Sequence, residues 1–457
     1  MRLGIVAAAG ALALFAAPRA MANGRFPASN QIGFSPGDPN LVVLRTTFGI
    51  LVSHDGGTSW QWLCEDVLGI LSSSTEDPLL GLTARSIVAT PGAANGLVVS
   101  PDSGCNWTAT AGPLAGQLVK DLVVRPDAPD VVLALTSTYG LHAGPDGGTG
   151  YMQQVFESAD DGATWAALGA PIDPGALAAT IEVAASDSNR IYVSAVRIPG
   201  QLASLFVSTD AGASWTERPV PIDPVETAIY VGAVDPTDPD LVYIRTDGPS
   251  SRLLVTADGG QTFAAALTLD SPMLGFALSP DGSKVYAGDA DQGLFVATRE
   301  GLSSPLAFQN VSTIRVQCLA THGTDLWACS DDSSGFLAGS SSDDGAHFAA
   351  KVHLVAQPIL ACPADAGAAL QCSGAPRQAF CGIVPDCEDG GQGEGGAATA
   401  PRAPTSTGAC GCSTAGHEGG TGALAIGAGC AIVTWTARGR VRSSRRGPRR
   451  RGARGTR

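Results

Sequence analysis

The sequence predicts an all-β protein, a seven-bladed β-propeller of four-stranded antiparallel blades followed by a small cysteine-containing appendage. Three observations lead there. The first is an octapeptide, SHDGGTSW at 53–60, that returns as SPDSGCNW (100–107), SADDGATW (158–165), STDAGASW (208–215), TADGGQTF (256–263), a degraded TREGLSSP (298–305) and SSDDGAHF (341–348). The second is its period: Asp55, Asp102, Asp160, Asp210, Asp258, Glu300 and Asp343 fall 42 to 58 residues apart, the spacing of a repeat architecture. The third is what fills each period. In the fifth unit, YVGAV, the turn DPTDPD, LVYIRT, a loop and RLLVT precede the octapeptide, so alternating β-rich runs are bounded by Pro, Asp and Gly clusters. Four short antiparallel strands per unit make one blade, and arranging blades radially leaves few exposed edges.

The elements follow in chain order. Residues 1–22 read as a secretory signal: an early arginine, an apolar run, then the small-x-small triplet Ala20, Met21, Ala22. Residues 23–354 are the propeller. In each unit the octapeptide fits the hairpin between the third and fourth strands, where Ser and Asp side chains bond turn amides and Gly57 permits positive φ. The rings of Trp60, Trp107, Trp165 and Trp215 pack between neighbours. Carboxylates one blade apart are too dispersed to act as a catalytic pair, so the octapeptide is read as structural.

This octapeptide resembles the Asp-box, or BNR repeat, of sialidases, sortilin-type receptors, xyloglucan hydrolases and photosystem assembly factors. The resemblance spans about 320 residues and implies Asp-box hairpins on one face of the disc, with function on the other. The chain departs from the enzymes of the group. It lacks a Phe-Arg-Ile-Pro motif before the first box, having only VRIPG at 196–200 after the third, and it has room for one propeller where the xyloglucan hydrolases use two.

Residues 355–387 form the cysteine-containing appendage, with cysteines expected in disulfides in an exported chain of eleven cysteines. Cys318 and Cys329 flank the turn at 322–325 symmetrically and are expected to pair across one hairpin; Cys362 and Cys372 repeat that arrangement and suggest a second. Cys381 and Cys387 would close a small loop, four cysteines here still allow three connectivities, and Cys64 and Cys105 in adjacent blades are a further candidate pair. Residues 388–409 are a Gly/Pro/Thr-rich linker. Residues 410–457 combine Cys410-Gly411-Cys412, a weakly apolar stretch at 421–437 and ten arginines. That order resembles the C-terminal sorting tags of myxobacterial surface proteins, implying processing at Cys410 and Cys412, a transient membrane segment, envelope sorting machinery as a partner and a location on the cell envelope or outside the cell.

Net charge is −14 overall, but without the signal and the tail the remainder stands near −25. Such a surface repels nucleic acid and anionic lipid and favours a cationic partner. The loops joining second to third strands supply the binding candidates Asp146, Asp247, Asp289, Asp291, Asp331 and Asp332, an acidic ring suited to a basic partner or to Ca2+. No resident cofactor or metal is expected otherwise. A glycosidase would need two carboxylates across a cleft, with Glu182, Glu226, Asp289 and Asp331 as candidates. The leading expectation is a monomeric binding or scaffolding module for a glycan or protein ligand; the alternatives are a carbohydrate-active hydrolase and an assembly factor for an envelope complex.

Overall fold

The computed structural model describes residues 26–70, 77–92, 95–143, 149–197, 200–300 and 306–387. They form seven four-stranded antiparallel sheets: blades 1 (29–63), 2 (80–109), 3 (119–172), 4 (176–219), 5 (228–269), 6 (275–312) and 7 (318–352). In every sheet the strands lie in chain order, so each blade is complete within its own sequence repeat. The first strand of each blade touches the first strands of both neighbours, blade 7 against blade 1 included, which closes the ring around a central axis. The protein is a seven-bladed β-propeller.

Each sheet is covered on both faces by neighbouring blades, and the sequence shows it. Val42–Thr46 (VVLRT) and Gly49–Ser53 (GILVS) are near-continuous buried runs, not half-buried alternations. The apolar clusters accordingly lie between blades. Leu133, Val155, Ile181 and Val193 join blades 3 and 4, and Tyr192, Leu205, Ile229 and Val242 join blades 4 and 5. Because no strand is exchanged, the last seam is held by side chains and backbone: Ser29 N donates to Ser330 O at 3.1 Å, Ser29 Oγ to Leu337 O, and Phe34 stacks on His322 and meets Trp327 edge-on.

The appendage is where the sequence reading needs correction. Cys318 pairs with Cys329 in register across one hairpin, and Cys381 pairs with Cys387. Cys362 and Cys372, however, do not pair with each other, nor does Cys64 pair with Cys105. Cys372 is bonded to Cys64 and Cys362 to Cys105, across 308 and 257 residues of chain. The reason is local. Between Cys362 and Cys372 the chain forms the short helix Gly367–Gln371 in place of a hairpin, so the two thiols do not face each other. Leaving blade 7, the chain instead runs along blade 1's outer edge: Trp62 N donates to Pro358 O at 2.7 Å and Leu360 N to Trp62 O at 2.8 Å. The helix Ala375–Cys381 then lays Phe380 on the Trp62 ring, 4.5 Å between centroids. The C-terminal appendage is thus sutured to the first two blades. Among the described residues no helix is long and apolar enough to cross a membrane, and the stretch at 421–437, the linker, the signal and Cys410 and Cys412 lie outside the described residues.

Candidate functional site

The octapeptides occupy one face. In blade 1 the Ser53 hydroxyl donates to Asp55 Oδ1 at 2.8 Å while accepting from Gly57 N at 2.8 Å. Asp55 Oδ1 also takes Ser59 N at 2.8 Å, and Oδ2 takes Ser59 Oγ at 2.6 Å. The same bonds recur around Asp102, Asp160, Asp210, Asp258 and Asp343, with Asn106, Thr164, Ser214, Thr262 and His347 as the seventh-position donors. Hydrogen bonds from Ser59 and Ser53 hold the Asp55 carboxyl down at about 2. At Asp258 burial opposes the shift, but bonds from Thr262, Thr256 and Gln261 outweigh it and again give about 2. Each of these carboxylates is consumed by its own turn. Most of Glu300's copy lies outside the described residues.

The fifth box residue is glycine in all six described copies because it meets two demands at once. Its φ lies between +84° and +105°, and its α-carbon abuts the preceding blade. A β-carbon on Gly162 would stand 2.6 Å from Val88 of blade 2, and one on Gly57 2.7 Å from Trp327 of blade 7. The box tryptophans complete the seam: Trp60 is buried and its Nε1 donates to Lys351 O of blade 7 at 3.1 Å, and Trp165 is also buried, whereas Trp107 and Trp215 are partly exposed. The boxes are structural in their chemistry.

The opposite face carries the second-to-third-strand tips and the connections between blades. Of the acidic candidates, Asp289 is fully buried, its Oδ1 accepting from Asp291 N at 2.9 Å and its Oδ2 from Ser271 Oγ at 2.7 Å. Asp331 caps the short turn at Asp332–Ser334 through Ser333 N at 3.0 Å and takes Arg315 Nε at 2.8 Å. Asp291 is exposed and stands 4.0 Å from the same arginine. Asp332 accepts from Leu354 N at 3.1 Å. Asp247 ends the strand Val242–Asp247 and its backbone carbonyl accepts from Thr227 N at 2.8 Å; Asp146 lies outside the described residues. Only Asp291 and Asp331 share a partner, and among the described residues no three His, Cys, Asp or Glu side chains converge on a point that would hold a metal. Glu226 is held by Arg252, with Nε 2.8 Å from Oε1, and by Thr246; burial works to raise its pKa, yet those bonds keep it below the usual carboxylate range. Arg197, of the VRIPG stretch, is committed to Glu217 and Asp173.

This face also exposes large apolar side chains. Phe26, Tyr139, Leu202, Val225, Leu274 and Val355 are 40 to 71% exposed, and every one lies on a strand tip or an inter-blade connection of this side. Tyr139 pairs edge-on with Tyr151, 5.0 Å between centroids, where the blade 3 hairpin runs on as far as Ala143 opposite Thr149. Exposed carboxylates, Asp223, Asp270 and Asp291, lie on the same face.

Sequence reading missed the axis almost entirely. The innermost strands bring Asp121 of blade 3 near Glu182 of blade 4, close enough that the charge of one raises the pKa of the other. Burial, followed by the charge of Asp121, lifts Glu182 to about 8. Burial also lifts Asp121, to about 6, against the hydrogen bond it accepts from Ile181 N at 2.9 Å. Glu182 had been singled out only as one of several carboxylates. The signal was an acid inside an apolar innermost strand, as in ATIEVA and VKDLVV.

No known protein family description matches the chain, and no curated protein matches it. Several solved structures resemble it in chain course. YCF48 from Cyanidioschyzon merolae is 14% identical, covers 66% of this chain and 92% of its own, and has a TM-score of 0.46. The hydrazine synthase of Kuenenia stuttgartiensis is 12% identical over 68% of this chain and 94% of its own, with a TM-score of 0.45. The GH74 xyloglucanase from Xanthomonas campestris is 16% identical over 71% of this chain and 67% of its own, with a TM-score of 0.33. At these identities and scores the likeness says nothing of function.

Proposed function

We propose that this protein is an exported propeller of the Asp-box type, held at the cell envelope through its C-terminal tag, that binds a glycan or protein ligand on the face opposite its boxes. One observation carries the reading. The large apolar side chains left exposed on the propeller are concentrated on that face, from blade 1 round to blade 7, interspersed with carboxylates. Exposed apolar surface rimmed by charge is the signature of an interaction face, and the acidic rim favours a neutral or basic partner. The repeated Ser–Asp–Gly hydrogen-bond pattern supports the Asp-box assignment, and four disulfides support an oxidising compartment.

A second reading, glycoside hydrolysis, draws on the axis: Glu182 stays protonated at neutral pH, as a general acid must. A glycan array run beside turnover of a labelled polysaccharide panel separates the two. Retention without turnover supports binding, whereas turnover abolished by Glu182→Gln replaces that reading with the hydrolase. Surface labelling of a variant with Cys410→Ser and Cys412→Ser tests the address, and unchanged anchoring would remove the tag from the account.

A further inference from the structure

On the box face two of the seams between blades are closed by a carboxylate at the fourth box position. At the seam of blades 2 and 3, the fourth box residue, Asp161, receives Arg85, with Nε 2.8 Å from Oδ2. At the seam of blades 6 and 7 the same box position, Asp344, receives Lys284 Nζ and Tyr286 Oη, the latter at 2.8 Å. Arg85 and Lys284 stand at the entry to the second strand of their blades, and Arg190 stands there in blade 4. Its counterpart in the next box is Gly259, whose β-carbon would lie 3.2 Å from Arg190 Nη1. The carboxylate that closes those two seams is missing here, as it is where Gly56, Ser103 and Ala211 hold the position.

In its place is a half-open cleft of about 450 Å³ lined by Arg190, Arg218, Thr209, Thr216 and Gln261, together with Asp240 and Asp258. Asp240 neutralises one edge of Arg190, Oδ1 lying 2.5 Å from Nη1. Asp258 is used up by its own box, accepting from Thr256, Gln261 and Thr262. The Nε atoms of Arg190 and Arg218 are both buried with no acceptor. Two guanidinium Nε atoms without acceptors, beside two hydroxyls and an amide, are unusual on a chain this acidic. A guanidinium fork matches a planar or tetrahedral oxyanion, and the volume is that of a small-ligand site.

The geometry points to an anion-binding site at the seam of blades 4 and 5, which takes one carboxylate or sulfate group of a ligand no larger than a sugar acid. The oxyanion fills the place that Asp161 and Asp344 fill in their seams, bonded by the guanidinium of Arg218 and lying beside that of Arg190. This site is on the face opposite the proposed ligand face and stands independently of it.

Titration calorimetry of the full chain with sulfate, galacturonate and galactose tests it. Saturable one-site binding of an anion is expected, with none for galactose. Arg218→Gln is expected to weaken binding at least about tenfold with little change in melting temperature, since among the described residues no side-chain hydrogen bond or ion pair of Arg218 is lost and the glutamine keeps the stem that packs on Gly260. Asp240→Asn, which removes the competing carboxylate, is expected to strengthen it. Galacturonate binding tighter than sulfate assigns the group to a sugar acid; equal affinity assigns it to the free ion. Absence of saturable binding into the millimolar range, equal binding of galactose, or an affinity unaltered by Arg218→Gln overturns the proposal.

Discussion

The two bridges that suture the appendage to blades 1 and 2 make a quantitative prediction about cooperativity. With the Cys105–Cys362 bridge present, Cys64–Cys372 closes only a loop of roughly 50 residues, running from Cys64 to Cys105 and back from Cys362 to Cys372. Loop-closure entropy then puts its removal at about 4 kcal/mol, and the same figure holds for removing the other bridge alone. Removing the last remaining bridge opens a loop of 257 or 308 residues, which costs about 6 kcal/mol. Each single pair of substitutions, Cys64→Ala with Cys372→Ala or Cys105→Ala with Cys362→Ala, should therefore cost about 4 kcal/mol, and all four together about 10. Alanine avoids leaving a buried hydroxyl at Cys64 and Cys372, which are both buried. The assay is guanidinium unfolding under non-reducing conditions followed by far-UV circular dichroism, with calorimetry to verify a two-state transition. A four-fold variant that costs no more than either two-fold variant would refute the claim that these bridges jointly close the ring's termini.

Gly162→Ala should destabilise by about 2 to 4 kcal/mol in the same assay, adding positive-φ strain to a contact with Val88. Ala211, held at φ +54° in the fourth box position, works the other way: Ala211→Gly should stabilise by about 1 kcal/mol. The axis and the boxes respond oppositely to pH. Glu182 and Asp121 have raised pKa values, so stability falls as pH rises from their unfolded values through about 6 and about 8, and Glu182→Gln should flatten the melting-temperature profile over that range. The box aspartates, depressed to about 2 at Asp55, Asp258 and Asp343, contribute stability that is whole above about 4 and is lost as pH falls through about 2, readable in an acid-unfolding titration.

The octapeptide carried most of what was legible. Its period gave the number of blades, and its glycine and aspartate gave the turn, because local φ and local hydrogen bonds are written in local sequence. A finer signal went unread: the seventh box residue is Ser, Asn, Thr, Ser, Thr or His, always a side chain able to donate to the aspartate. The partners of Cys64 and Cys105 were not legible, since they are set by how the chain leaves blade 7, through a parallel bridge from Trp62 to Ile359 that no local pattern announces. The bonds made by the acidic candidates were not legible either. Asp289 and Asp331 stand at turns, and a turn aspartate bonds its own backbone before it serves a ligand. The apolar residues of the opposite face were invisible because a single exposed Leu or Val carries no mark in sequence; only the fold gathers Leu202, Val225 and Leu274 onto one side.

That side can be interrogated directly with a photo-crosslinking residue placed at Leu202 in one variant and at the exposed Thr58 of the first box in another, each expressed as the full chain in its native cells. If the apolar face is the ligand face, covalent adducts to a discrete protein or glycan form from position 202, competed by excess unlabelled protein, and not from position 58. Adducts forming equally from both positions, or from 58 alone, would contradict the account.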